Sequence, residues 1–124
     1  MNILGIDFGK KRIGLAWVQL GLDVVLPFGA VNNEQRTTNK LATLVRDEKI
    51  DKIIVGLPIG LDGKENENTE RVRKFVEDLK HEIDIPIEFE DERFTTAEAN
   101  RMGGDASADE KAAMLILQGY LEKQ

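Results

Sequence analysis

The chain has 124 residues and a net charge of −6, from 17 Lys plus Arg against 23 Asp plus Glu; 41% of residues are hydrophobic and 32% charged. That length suits one domain around a single core, and the acidic balance excludes a protein that coats nucleic acid with a basic surface, while leaving room for a carboxylate-lined metal site. The lack of cysteine excludes disulfides, thiolate chemistry and Cys-ligated metals, and a single histidine, His81, excludes a His-rich site.

Residues 2–8 (NILGIDF) lean toward an apolar strand, residues 9–12 form a basic turn, and residues 13–19 (IGLAWVQ) return as a hairpin partner. Residues 22–31 (LDVVLPFGAV) make a third strand, in which Pro27 marks an edge or a bulge. Three strands on short turns predict an antiparallel meander. The periodicity then changes. Leu41, Leu44 and Val45 fall at helical spacing within 34–49, and residues 52–57 (KIIVGL) form the continuous apolar run of a buried parallel strand, ended by Pro58. Val72, Phe75, Val76 and Leu79 make one stripe over 67–80, predicting a second amphipathic helix. Residues 85–91 alternate, with Ile85, Ile87 and Phe89 on one face. Two capping-box patterns follow, Thr95 with Glu98 and Ser107 with Glu110, the second opening a last helix to about Leu121. The order βββαβαβα predicts a single α/β domain over 1–124: a mixed five-stranded sheet with helices on both faces, as in the RNase H-like fold. The chain opens directly on a strand, with no targeting segment and no run near the ~20 apolar residues of a bilayer span. A cytoplasmic protein with no membrane partner is expected.

Three acidic positions stand out. Asp7 interrupts the apolar first strand between Gly5 and Gly9; a carboxylate there needs a cation, a metal or several donors, unless it serves only the turn that follows. Asp91-Glu92-Arg93 sits where a strand ends and a capped helix begins. Those acids could join a metal site assembled from several element ends, or form a local ion pair at a solvated turn. Asp109 heads the helical stripe Ala113, Ile116 and Tyr120, and either complements the helix dipole or faces the same site. Strict alternation groups Asp91 with Ile85, Ile87 and Phe89, whereas a strand that breaks near the helix cap favours Glu92.

The loop 56–63 (GLPIGLDG) could offer backbone N–H groups to a phosphate, although no Gly-Lys-Ser/Thr follows it. Lys10, Lys11, Arg12, Arg71, Arg73 and Lys74 could meet a nucleic-acid backbone. His81 reads as a dipole partner at a helix end, and Trp17 and Phe89 as core.

Four stretches in order, GIDFGKKRIGLAW, VGLPIGLDG followed by NTERVRKF, DERFTTAEA and DEKAAMLILQGYL, resemble the YqgF/RuvX family. Its members are described as proposed Holliday junction resolvases and as nucleases that mature the precursor of 16S ribosomal RNA. The resemblance implies a metal-dependent nuclease of RNase H-like fold, hydrolysing phosphodiester bonds with Mg²⁺ or Mn²⁺. It implies Asp7, Glu92 and Asp109 as the catalytic and metal-binding carboxylates, with Lys11 and Arg93 as phosphate contacts. Gly56, Pro58 and Gly63 match its loop motif, which implies substrate contacts through the backbone. Pre-rRNA and branched DNA are both implied as partners, and a junction would call for a homodimer presenting two sites. One departure concerns residues 102–108 (MGGDASA), where family members carry a longer, Lys-containing loop. Two other readings keep the fold: a non-catalytic binding module for a ribosomal or transcription partner, and an actin-like or sugar-kinase-like phosphate-binding protein, whose second domain 124 residues do not supply.

Overall fold

The computed structural model describes residues 1–92 and 104–123. The elements are β1 (Asn2–Phe8), β2 (Arg12–Gln19), β3 (Val25–Asn32), α1 (Thr37–Asp47), β4 (Lys52–Pro58), α2 (Glu67–Lys80), β5 (Ile87–Glu92) and α3 (Ala108–Glu122). The sheet order is β3-β2-β1-β4-β5, with β2 antiparallel to both neighbours and β4 parallel to both of its own. This is the mixed five-stranded sheet expected from the sequence. The capping box at Thr95 and Glu98, like Arg93, lies outside the described residues. Among the described residues no helix is long and apolar enough to cross a membrane.

Alternation along the central strands divides the core in two. Leu4, Ile6, Ile53 and Val55 face α1 and α2, where they meet Leu41, Val45, Val72, Phe75, Val76 and Leu79. Ile3, Ala16, Val18 and Ile54 face α3, which covers the other side through Ala113, Ile116, Leu117 and Tyr120. The third strand begins later than its apolar run suggests. Gly21 (φ 103°) and Asp23 (φ 55°) adopt left-handed backbone, which cannot extend a strand, and Leu22 and Asp23 donate their N–H groups to the Gln19 carbonyl.

The last helix is anchored at its start. Ser107 accepts the Glu110 N–H, and Glu110 Oε1 accepts the Ser107 N–H, the reciprocal box read from the sequence. The second oxygen of Glu110 accepts the Gly29 N–H of β3 at 2.7 Å, tying the helix to the sheet edge. Two glycines let the helix settle close. A Cβ at Gly5 would lie 2.5 Å from Leu117 Cγ, and one at Gly14 would run into the backbone of Asp109. Close packing on β1 and β2 therefore sets the height of the helix and the place of Asp109.

Gly14→Ala is expected to cost about 1–3 kcal/mol, the usual range for overpacking a tight contact. The urea-unfolding midpoint checks this; an unchanged midpoint would mean that the helix does not rest on Gly14.

Candidate active site

Three parallel strands, β1, β4 and β5, end on one edge of the sheet. Asp7 is the penultimate residue of β1 and Glu92 the last of β5, with β4 between them. Ile6 pairs with Val55, which brings Asp7 abreast of Gly56. A Cβ at Gly56 would sit 2.6 Å from Glu92 Oε2 and against Ile116. The missing side chain lets Glu92 lean across β4, and its carboxyl shares a hydrogen bond with Asp7.

Both acids are harder to ionise than usual. Glu92 is pushed up to about 8, first by burial, then by the Asp7 charge and the hydrogen bond. Asp7 is also raised by burial; the bond from Glu92 works against that rise and the charge of Asp109 adds to it. The pair therefore favours holding one proton between the two carboxyl groups in their shared hydrogen bond. Glu88, Glu90 and Glu92 alternate onto the α3 face of β5. Lys52 lies 2.6 Å from Glu88, and Lys123 lies 2.8 Å from the buried Glu90. Glu92 meets another acid instead.

Alternation also decides between residues 91 and 92. The strand keeps its register as far as Glu92, the last residue described there, which pairs with Pro58. Glu92 reaches the site because the site lies on the face opposite Ile87 and Phe89; exposed Asp91 lies on their face.

Asp109, in the first turn of α3, is held by Arg12, whose Nε lies 2.9 Å from Oδ2, with the two side chains 28% and 66% exposed respectively. Among the described residues no three His, Cys, Asp or Glu side chains converge so as to hold a metal ion as they stand. The triangle expected from the sequence is thus a touching pair plus a third acid turned to an arginine. Its chemistry fits a hard divalent cation: the donors are all oxygen, and positive charge would relieve the repulsion between two half-buried carboxylates.

A cavity of about 300 Å³ opens over the strand ends, lined by Asp7, Phe8, Lys10, Pro58, Arg71 and Glu92 among others. Pro58 also accepts the Thr69 hydroxyl through its carbonyl at 2.5 Å. Lys10 stands in the wall, whereas exposed Lys11 contributes a carbonyl that accepts the Asn33 N–H. Gly56 is buried within β4, where its part is to make room. Gly63 (φ 79°) closes an exposed turn by donating to the Gly60 carbonyl, outside the cavity wall. Arg73 is engaged elsewhere: it binds Glu65 at 2.7 and 3.0 Å and lies over the Phe89 ring. Trp17 and Phe89, expected in the core, are half-buried. Phe8 and Asn68 were not anticipated as cavity residues; continuing the Leu4–Ile6 alternation to the strand end would have found Phe8, while nothing in the sequence marks Asn68.

Residues 1–123 match the family model described as RuvX, Holliday junction resolvase. A protein of Dictyoglomus turgidum, named as a proposed pre-16S rRNA nuclease, is 37% identical over 98% of this chain and 94% of its own. A Pelotomaculum thermopropionicum protein of the same name is 35% identical over 100% of this chain and 88% of its own. The Thermus thermophilus RuvC structure superposes with a TM-score of 0.65 at 14% identity, covering 99% of this chain and 96% of that one. The fowlpox virus Holliday junction resolvase gives 0.60 at 12% identity, with 100% of both chains covered. The fold is RNase H-like.

Because the folded state holds its carboxyl protons more tightly than the unfolded chain, stability should fall as pH rises from about 4.5 toward 8 in metal-free buffer. Glu92→Gln removes the charge that appears over that window. Its melting temperature should exceed that of the wild type at pH 8, with a flatter profile between pH 5 and 8; parallel profiles would contradict the shared proton.

Proposed function

The chain belongs to the RuvX family of Holliday junction resolvases, and we propose that its active site is the cluster of Asp7, Glu92 and Asp109 at the parallel edge of the sheet. The protein is a nuclease, a hydrolase of phosphodiester bonds in nucleic acid. The observation that carries this assignment is the contact between half-buried Asp7 and Glu92, two acids from separate strands in a cavity whose wall includes Lys10 and Arg71.

A divalent cation, Mg²⁺ or Mn²⁺, held by the three carboxylates would supply positive charge to the phosphoryl oxygens and lower the pKa of the attacking water. To hold it, the Asp7–Glu92 pair would give up its shared proton and Asp109 would leave Arg12. Arg12, once free of Asp109, would join Lys10 and Arg71 of the cavity wall in neutralising the phosphates on either side of the scissile bond. Pro58 walls the cavity, and Gly56 keeps the floor open for Glu92. The proposed substrate is precursor ribosomal RNA, supported by the names of relatives that match nearly the whole chain. A four-way DNA junction is the second candidate, supported by the family description, and its resolution would take two copies of the chain.

With Mn²⁺, the wild type should cut a precursor 16S rRNA fragment. Asp7→Asn should lose at least the about 10–100-fold that even outer partners of a metal site typically contribute. Chelation by EDTA should stop the reaction, and a four-way junction run in parallel tests the second substrate. If the wild type cuts neither, the nuclease assignment fails and a binding module is left.

A further inference from the structure

The cavity at the acids does not end there. Phe8, Lys10 and Arg71 also line a larger one, about 660 Å³, that continues beside the N-terminal part of α1 and along α2. Alternation along β1 sends Asp7 to the α3 face and Phe8 to the α1–α2 face, so the two spaces join over the end of a single strand. Along the α2 wall, Lys74 follows Arg71 by about one turn, and Asp78 and then Glu82, just past the helix, make that end acidic; Glu34, on the α1 side, is paired with Lys40. Neither Lys10 nor Lys74 forms an ion pair among the described residues. At the junction sits Phe8, half-buried, its ring backed by Phe75 at 4.6 Å between centroids and 32° between planes.

We propose that this groove receives one unpaired nucleotide flanking the scissile phosphate, with its base against Phe8 and its backbone between Lys10, Arg71 and Lys74. The enzyme then selects single-stranded over duplex segments. The proposal rests on the nuclease assignment, because it needs a scissile phosphate at Asp7 and Glu92. An aromatic face beside a short cationic wall is how single strands are held without reading their sequence. A base can lie against a ring at the floor of a groove only by leaving its stack, which a duplex resists. The acids at positions 78 and 82 repel a backbone that runs further along α2, so the grip is confined to the nucleotide nearest the site.

The test is binding in EDTA, which does not depend on cleavage, followed by fluorescence anisotropy with a labelled 12-nucleotide single-stranded RNA and a blunt duplex of the same sequence. The wild type should bind the single strand more tightly, and 2-aminopurine placed in that strand should be quenched. Phe8→Leu, which keeps an apolar side chain over Phe75, should weaken single-strand binding about 5- to 100-fold and leave the duplex unchanged. Lys74→Ala should weaken both and lower the salt slope by about one. If Phe8→Leu melts early, Phe8→Trp supplies a larger ring and should tighten single-strand binding. Equal affinity for both forms in the wild type, or a folded Phe8→Leu that binds single strands as the wild type does, would overturn the proposal. Strand preference without Mn²⁺-dependent cleavage would overturn the nuclease assignment and leave the groove; cleavage without the preference would do the reverse.

Discussion

Two carboxylates on non-adjacent strands can meet only if the strand between them gives way, and here it gives way at Gly56. Asp7 on β1 and Glu92 on β5 are separated by β4, and the space where a side chain would stand at position 56 is taken by Glu92 Oε2 and Ile116. The unusual ionisation of the pair follows from that contact. Burial and proximity make the pair reluctant to carry two charges, and the remedy chemistry offers is a proton or a cation. The other acids on the same face of β5 have lysines beside them, so Glu92 differs from them in its partner and not in its residue type.

The third acid depends on a different set of contacts. α3 comes down onto β1 and β2 where Gly5 and Gly14 carry no side chain, and Glu110 ties its first turn to β3. Asp109 is thereby held near enough for its charge to act on Asp7, yet it is matched by Arg12 at 2.9 Å. An ion pair this exposed is weak, commonly worth about 0–1 kcal/mol, so it would oppose little in the proposed site if Asp109 joined the other two acids. An overall charge of −6 is compatible with nucleic acid as substrate because the cations that matter are local. Lys10 and Arg71 stand in the cavity wall while most acids lie elsewhere on the surface.

Consecutive residues of one strand serve opposite faces of the sheet. Asp7 looks toward α3 and the carboxylates, Phe8 toward α2 and the groove. A ligand at the strand end can touch both, because the two cavities share Phe8 there. Three parallel strands finishing together create that edge.

Periodicity in the sequence was sufficient for the element order, the mixed sheet and the helix-bearing faces, because alternation and helical stripes are local consequences of burial. It also singled out Asp7, an acid in an apolar strand, and the Ser107–Glu110 box. Which of Asp91 and Glu92 meets Asp7 was not legible, because it depends on which face of β5 the other acid stands on, a fact that only α3 and Gly56 supply. The same holds for Lys10 in the cavity wall rather than Lys11, for Arg12 on Asp109, and for Phe8 at the groove. Gly63, read as a loop contact, closes a turn outside the wall, while Gly56 proved to be a gap between two carboxylates. Residue types and spacing determined which acids were unusual, since an acid among apolar neighbours is costly wherever the strand goes. Tertiary structure alone decided which of them touch, because contact across β4 depends on side chains from elements distant in the chain.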